Sequence, residues 1–95
     1  MVKKGYKELI QAVIEREREI IGDTAVTVVR KYLDCISLDE EGEVSEINCG
    51  GAEAFRNLYK KYREMGFGEA KLVIKKAIQP VLEKYPNLEV PEDLR

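Results

Sequence analysis

Tyr6, Leu9, Ile10, Val13, Ile20 and Ile21 recur at spacings of three and four, the mark of one buried stripe on an amphipathic helix. They predict a first helix from about Lys4 to Ile21. Its middle, Glu15-Arg16-Glu17-Arg18-Glu19, alternates charge and is expected to be solvated. Gly22 suits the left-handed conformation that ends a helix, and Asp23 is placed to cap the next with its carboxylate. The second helix, about Thr24 to Leu33, carries Ala25, Val26, Val28, Val29, Tyr32 and Leu33 around more than half its circumference. Its β-branched run favours a strand locally, but the same segment recurs further along as a plain helix.

That recurrence is faint and ungapped. Leu9 to Cys35 lays over Ala54 to Pro80, with Arg18-Glu19 on Arg63-Glu64, Ala25 on Ala70, Val28 on Val73 and Lys31 on Lys76. Conservative pairs such as Val13/Leu58, Ile20/Met65, Val29/Ile74 and Leu33/Ile78 keep the apolar phase. We read a duplicated helical hairpin, with a first repeat over about 4–35 and a second over about 51–85. Between them, at 36–49, Asp39-Glu40-Glu41-Gly42 is a turn flanked by Ile36/Leu38 and Val44/Ile47, which predicts a β-hairpin or a charged loop.

Phe55, Leu58, Tyr59, Tyr62 and Met65 form the stripe of a third helix that follows Gly50-Gly51. Ala70, Val73, Ile74, Ala77, Ile78, Val81 and Tyr85 form that of a fourth, which Pro80 should kink or split after Gln79. Residues 86–95 read as a partly ordered tail. The expected fold is a mainly α single domain: two pseudo-repeated helical hairpins, four helices in all, with a short β-hairpin or loop between them.

At 95 residues, 44% apolar and 36% charged, the chain can fold, but around a thin core. The Lys/Glu-rich, Ile/Val-rich mixture resembles thermophile proteins. Net charge is −2, which argues against strong non-specific nucleic-acid binding. The halves differ: residues 1–48 hold 7 basic and 11 acidic side chains, and residues 49–95 hold 9 and 7. No apolar run approaches the roughly 20 residues of a membrane span, and the start lacks a signal-peptide stretch. A soluble cytoplasmic protein is expected.

The chain has no histidine, which removes Ser-His and Cys-His nucleophile pairs and the commonest general base near neutral pH. No catalytic residue, cofactor site or metal site is expected. Around Gly42 the spacing fits an EF-hand at Asp39 and Glu41, but Ser37 and Asn48 stand where the loop needs carboxylates. Cys49 precedes a predicted helix, whose N-terminus would make its thiol reactive, and Cys35 brackets the same turn. Redox sensing through Cys49, with Cys35, is the third reading of function.

Leu58 to Ala77, with Met65-Gly66-Phe67 between two amphipathic helices, resembles the loop of ubiquitin-associated domains, and the resemblance implies partner binding through Phe67. The chain departs from that pattern where Pro80 and the tail replace a third short helix, so Phe67 is read first as a core plug at a tight turn. Arg56, Lys60 and Arg63 share one face of the third helix, with Lys71 and Lys75 on the fourth. These five cations are the candidates for an interaction face. The leading reading is a non-catalytic protein–protein interaction or regulatory module, and the runner-up is a nucleic-acid-associated regulator using the basic second half.

Neither repeat has enough apolar surface to enclose itself, so part of Val26, Val29 or Tyr32 is expected to be left uncovered and to favour a homodimer. The acidic half of one copy would face the basic half of the other. Sedimentation equilibrium at tens of micromolar protein should give a dimer mass that falls as salt is raised. A monomer mass throughout means that one chain closes its own core.

Overall fold

A computed structural model describes residues 2–66 and 70–95. Its helices are α1 (Val2–Ile21), α2 (Thr24–Tyr32), α3 (Gly51–Glu64) and α4 (Ala70–Lys84), with strands β1 (Ile36–Leu38) and β2 (Val44–Ile47) between α2 and α3. A 3-10 turn, Glu92–Leu94, ends the chain. The protein is mainly α with a short antiparallel hairpin, as the sequence pattern predicts.

Helix α1 is the element on which the others pack: α2, β2, α3 and α4 all contact it. Its buried face is Tyr6, Leu9, Ile10, Val13 and Ile14, while Ile20, expected inside, is half exposed. Gly22, at φ 69°, ends the helix, its N–H bonding the Arg18 carbonyl at 2.8 Å. Asp23 does not cap α2 as expected. Its backbone is helical (φ −67°, ψ −10°), whereas a capping side chain needs extended backbone, and its carboxylate instead accepts from Arg18 at 3.4 Å. The β-branched run of α2 is helical because helix geometry buries Ala25, Val26, Val28 and Val29 together. Packing overrides local preference there.

Strands β1 and β2 pair Ile36 with Ile47, Ser37 with Glu46 and Leu38 with Val44, with an irregularity after Ser37. The Asp39 carboxylate accepts from the backbone N–H groups of Glu41 (2.9 Å) and Glu43 (3.0 Å), closing the turn from within. Gly42 is required twice over: its φ is 82°, and a Cβ there would stand 3.0 Å from both Arg18 and Val26 side-chain atoms. Arg18 donates to the Glu41 carbonyl (2.9 Å) and Arg30 to the Asp39 carbonyl (2.7 Å), pinning the tip to the α1–α2 corner. At the base, Cys35 and Cys49 form a disulfide with Cα atoms 5.5 Å apart. Closing a loop with a sequence separation of 14 stabilises the chain by about 3 kcal/mol on a chain-entropy account.

Pro80 lies inside an unbroken α4, so the expected split does not occur. Both Pro80 and Lys76, whose carbonyl loses its donor, are exposed, and water can serve that carbonyl. Residues 86–95 are likewise no loose tail. Leu88 and Leu94 are buried in the core, and Arg95 donates to the Leu88 carbonyl at 2.6 Å. The Tyr6 hydroxyl donates to the Glu89 carbonyl (3.0 Å) and accepts from its N–H (2.7 Å). The segment lies over the start of α1, where Leu88 meets Gly5, and reaches α3 through Asp93, which accepts from the Tyr59 hydroxyl.

Burial agrees at eight paired positions and differs at others: Val26 is buried where Lys71 is exposed, and Val28 is buried where Val73 is only partly so. Positions 9/54, 10/55, 13/58, 14/59, 17/62, 25/70, 29/74 and 33/78 are buried in both members of each pair. Equivalent positions also meet: Gly51 lies against the Tyr6 ring, where any side chain would overlap it, and Glu17 is near enough to Tyr62 to disfavour ionisation of its hydroxyl. Helices α1 and α3 therefore run side by side in the same direction, the arrangement expected of an approximate twofold axis along them.

Replacing Tyr6 by Phe keeps the ring and removes both bonds to Glu89. Urea unfolding should show a loss of about 1–2 kcal/mol, and limited proteolysis should cut within 86–95 sooner than in the native chain.

Candidate interaction surface

The five candidate cations do not form one face. Arg56, Lys60 and Arg63 are exposed on α3, and Lys71 and the partly exposed Lys75 lie on α4. Three recesses border α3, the two larger described below and a smaller one at Ala52 and Arg56 beside Glu89–Pro91, and neither Lys71 nor Lys75 lines any of them. Phe67 lies outside the described residues. Its neighbour Met65 is exposed.

The first groove, about 360 Å³, separates α3 from the end of α2 and the start of β1. Its floor includes the buried Leu33, Ile36 and Ala54, and its walls carry Tyr32, Asp34 and Cys35 on one side and Asn57, Lys60, Lys61 and Glu64 on the other. The second, about 530 Å³, lies between α3 and the C-terminal segment and is lined by Arg56, Tyr59, Lys60, Arg63, Glu64, Pro91 and Asp93. Lys60 stands on the ridge between them. Arg63 is partly engaged, 3.7 Å from the Asp93 carboxylate and over the Tyr59 ring at 5.2 Å. Arg56 and Lys60 have no hydrogen-bond or ion-pair partner among the described residues.

Tyr59 and Tyr62 are buried, and neither can stack on a ligand. Burial, reinforced by the bond to Asp93, pushes the Tyr59 hydroxyl up to about 12, so it stays neutral. Burial raises Tyr62 further, and the nearby Glu17 adds to the effect, while its hydroxyl donates to the Ala25 carbonyl at 2.9 Å. The exposed aromatic is Tyr32, 47% accessible, with Lys61 at 4.8 Å and Lys31 at 5.5 Å from its ring centre. The sequence places Tyr32 on the α2 stripe. However, α2 stops there, and Leu33, at φ −122°, turns inward in its place. Of the three side chains from which an uncovered patch was expected, Tyr32 is the exposed one, and Val26 and Val29 are buried within the chain.

Cys49 is not the free reactive thiol its position suggests: the only two cysteines are bonded to each other. It immediately precedes Gly50, the N-cap of α3, which offers no side chain to the first-turn N–H groups. No cluster of three or more metal-ligating side chains occurs among the described residues, and Asp39 spends its carboxylate on its own turn. A further recess beside α1 holds Glu8, whose carboxyl is kept below the usual range by hydrogen bonds from Tyr85 and Lys84.

The charged run of α1 hides one exception to its expected solvation. Glu17 is 1% exposed, and neither of its oxygens has a hydrogen-bond partner. It occupies the position equivalent to Tyr62, where the repeat requires burial. Burial raises its carboxyl above the ordinary value, opposed by the nearby Arg16.

Comparison with protein-family models, with curated proteins and with solved structures finds no significant match to this chain.

Because the native state holds the Glu17 proton more tightly than the unfolded chain, its stabilising effect is complete below pH 4.5 and is lost as pH rises through the native pKa. Chemical denaturation across pH should therefore show Glu17→Gln gaining on the native protein as pH rises. A constant difference would mean that Glu17 titrates as an ordinary carboxyl.

Proposed function

We propose that the chain is a non-catalytic interaction module that receives an acidic, partly apolar segment of a protein partner along α3. The observation that carries this reading is the pair Arg56 and Lys60, two unpaired cations one helical turn apart, of which Lys60 lines both grooves and Arg56 the second. Most charged groups elsewhere on α3 are already committed: Lys61 bonds Glu64 at 3.3 Å, and Arg63 faces Asp93. The apolar floor of Leu33, Ile36 and Ala54 suits the apolar side chains of a peptide, which a phosphate backbone does not offer. A regulatory adaptor role follows from a small site that binds without converting its ligand. The Lys/Glu-rich surface and the intrachain disulfide together fit a cytoplasmic protein of a thermophile, a setting in which intracellular disulfides occur.

Fluorescence anisotropy with a labelled peptide alternating Glu and Leu, and separately with a single-stranded oligonucleotide, tests the reading. The peptide should bind more weakly as salt rises. Arg56→Glu with Lys60→Glu should weaken it by about tenfold, or ~1.4 kcal/mol, at unchanged folding stability. Lys71→Glu with Lys75→Glu should leave binding unchanged. Salt-sensitive binding of the oligonucleotide alone, lost on Tyr32→Ala, would favour the nucleic-acid reading. Binding of neither probe would refute the surface.

A further inference from the structure

The Cys35–Cys49 disulfide stands at one end of the α3 groove. Cys35 belongs to the wall built by α2 and β1, and Cys49 leads directly into α3, which forms the opposite wall. Further along, the walls are tied by the contact of Lys61 with the Tyr32 ring and, beneath it, by the Tyr62 hydroxyl donating to the Ala25 carbonyl. We propose that this disulfide is a reversible redox latch that sets the width of the groove and is opened by a dithiol reductant. Its effect on peptide binding rests on the function proposed above, while its chemistry does not.

Three observations support a latch over a permanent staple. Both cysteines are only partly buried, so a reductant can reach the bond. The hairpin base keeps other ties, since the Asn48 N–H bonds the Cys35 carbonyl at 2.7 Å and the adjoining Ile36 and Ile47 are buried as a cross-strand pair. Opening the bond therefore leaves the core in place. Finally, the two sulfurs are unequal leaving groups. Cys49 lies at the N-terminus of the 14-residue α3, where uncapped N–H groups and the helix dipole stabilise a thiolate.

The reaction balances as ordinary thiol–disulfide exchange. A thiolate of the dithiol attacks Sγ of Cys35, the Cys35–Cys49 bond breaks, and Cys49 leaves as the thiolate. The second thiolate of the reductant then attacks its own sulfur in the mixed disulfide and releases Cys35. Two electrons pass to the protein, and the reductant departs as a cyclic disulfide. With the covalent tie gone, the Cys49–Gly50 link is released from β1 and the end of the groove at Cys35 can widen, while the Tyr6–Gly51 contact keeps α3 seated on α1.

The test treats the native full chain with dithiothreitol, quenches with acid, alkylates and maps the peptides. The first alkylated residue should be Cys49, with the mixed disulfide on Cys35. The reduced protein should keep its helical circular dichroism, and its amide resonances should shift at Tyr32, Lys60 and Lys61. Its affinity for the Glu/Leu peptide should differ from that of the oxidised form by about fivefold or more, the low end of ordinary coupling between sites. Cys35→Ser with Cys49→Ser should reproduce the reduced state. A bond that yields only after denaturant is added, a reduced chain that unfolds, or unchanged resonances along the groove would each overturn the latch. If the peptide binds neither form while those resonances shift, the latch stands and the peptide reading fails.

Discussion

The Tyr6 ring lies against Gly51 while its hydroxyl is held at both ends by the Glu89 backbone, and this double engagement positions three segments distant in sequence. It brings the start of α3 onto α1 with no intervening side chain and folds the C-terminal segment over both. Pro91 and Asp93, which line the second groove, follow closely on the Glu89 that Tyr6 holds. A glycine is needed at position 51 for packing, since the aromatic ring already fills the space of a side chain.

The α1–α3 pairing also explains the awkward burial of Glu17. Two helices built from the same pattern and packed in the same direction bring equivalent positions together, and one of those positions holds Glu in one copy and Tyr in the other. Tyr62 solves the problem by donating to the Ala25 carbonyl across the bundle. Glu17 finds no such partner, and burial raises its carboxyl above the ordinary value. The cost of an unpaired buried carboxyl, about 1–3 kcal/mol for a neutral group, is substantial for a domain of this size.

Helices and hairpin were legible because periodicity reports burial, and burial decides which segments become helical. The spacing of Leu9, Val13, Leu58 and Ile74 placed those residues inside. What failed was whatever depended on a single side chain's surroundings. Asp23 has the right identity for a cap but the wrong backbone. Pro80 breaks a helix only when the orphaned carbonyl has no water, and here it faces solvent. The end of the chain looked loose because Leu88 and Leu94 are too widely spaced to form a stripe, although each fills a hole between helices. The candidate surface was half legible: Arg56, Lys60 and Arg63 follow from helical spacing, whereas Tyr32, Lys61 and the Cys35–Cys49 bond come from other elements and meet them only in the fold.

The tip of the hairpin is held entirely through its backbone, by Arg18 and Arg30 reaching carbonyl oxygens and by Asp39 closing the turn. The side chains of Glu40, Glu41 and Glu43 take no part in that support. Shape and chemistry are thus separable at this point of the molecule. With Asp39 and Gly42 kept, the outward residues form a display position on which foreign side chains can be presented in a fixed geometry, making the hairpin a natural place to graft a short recognition sequence onto a small helical scaffold.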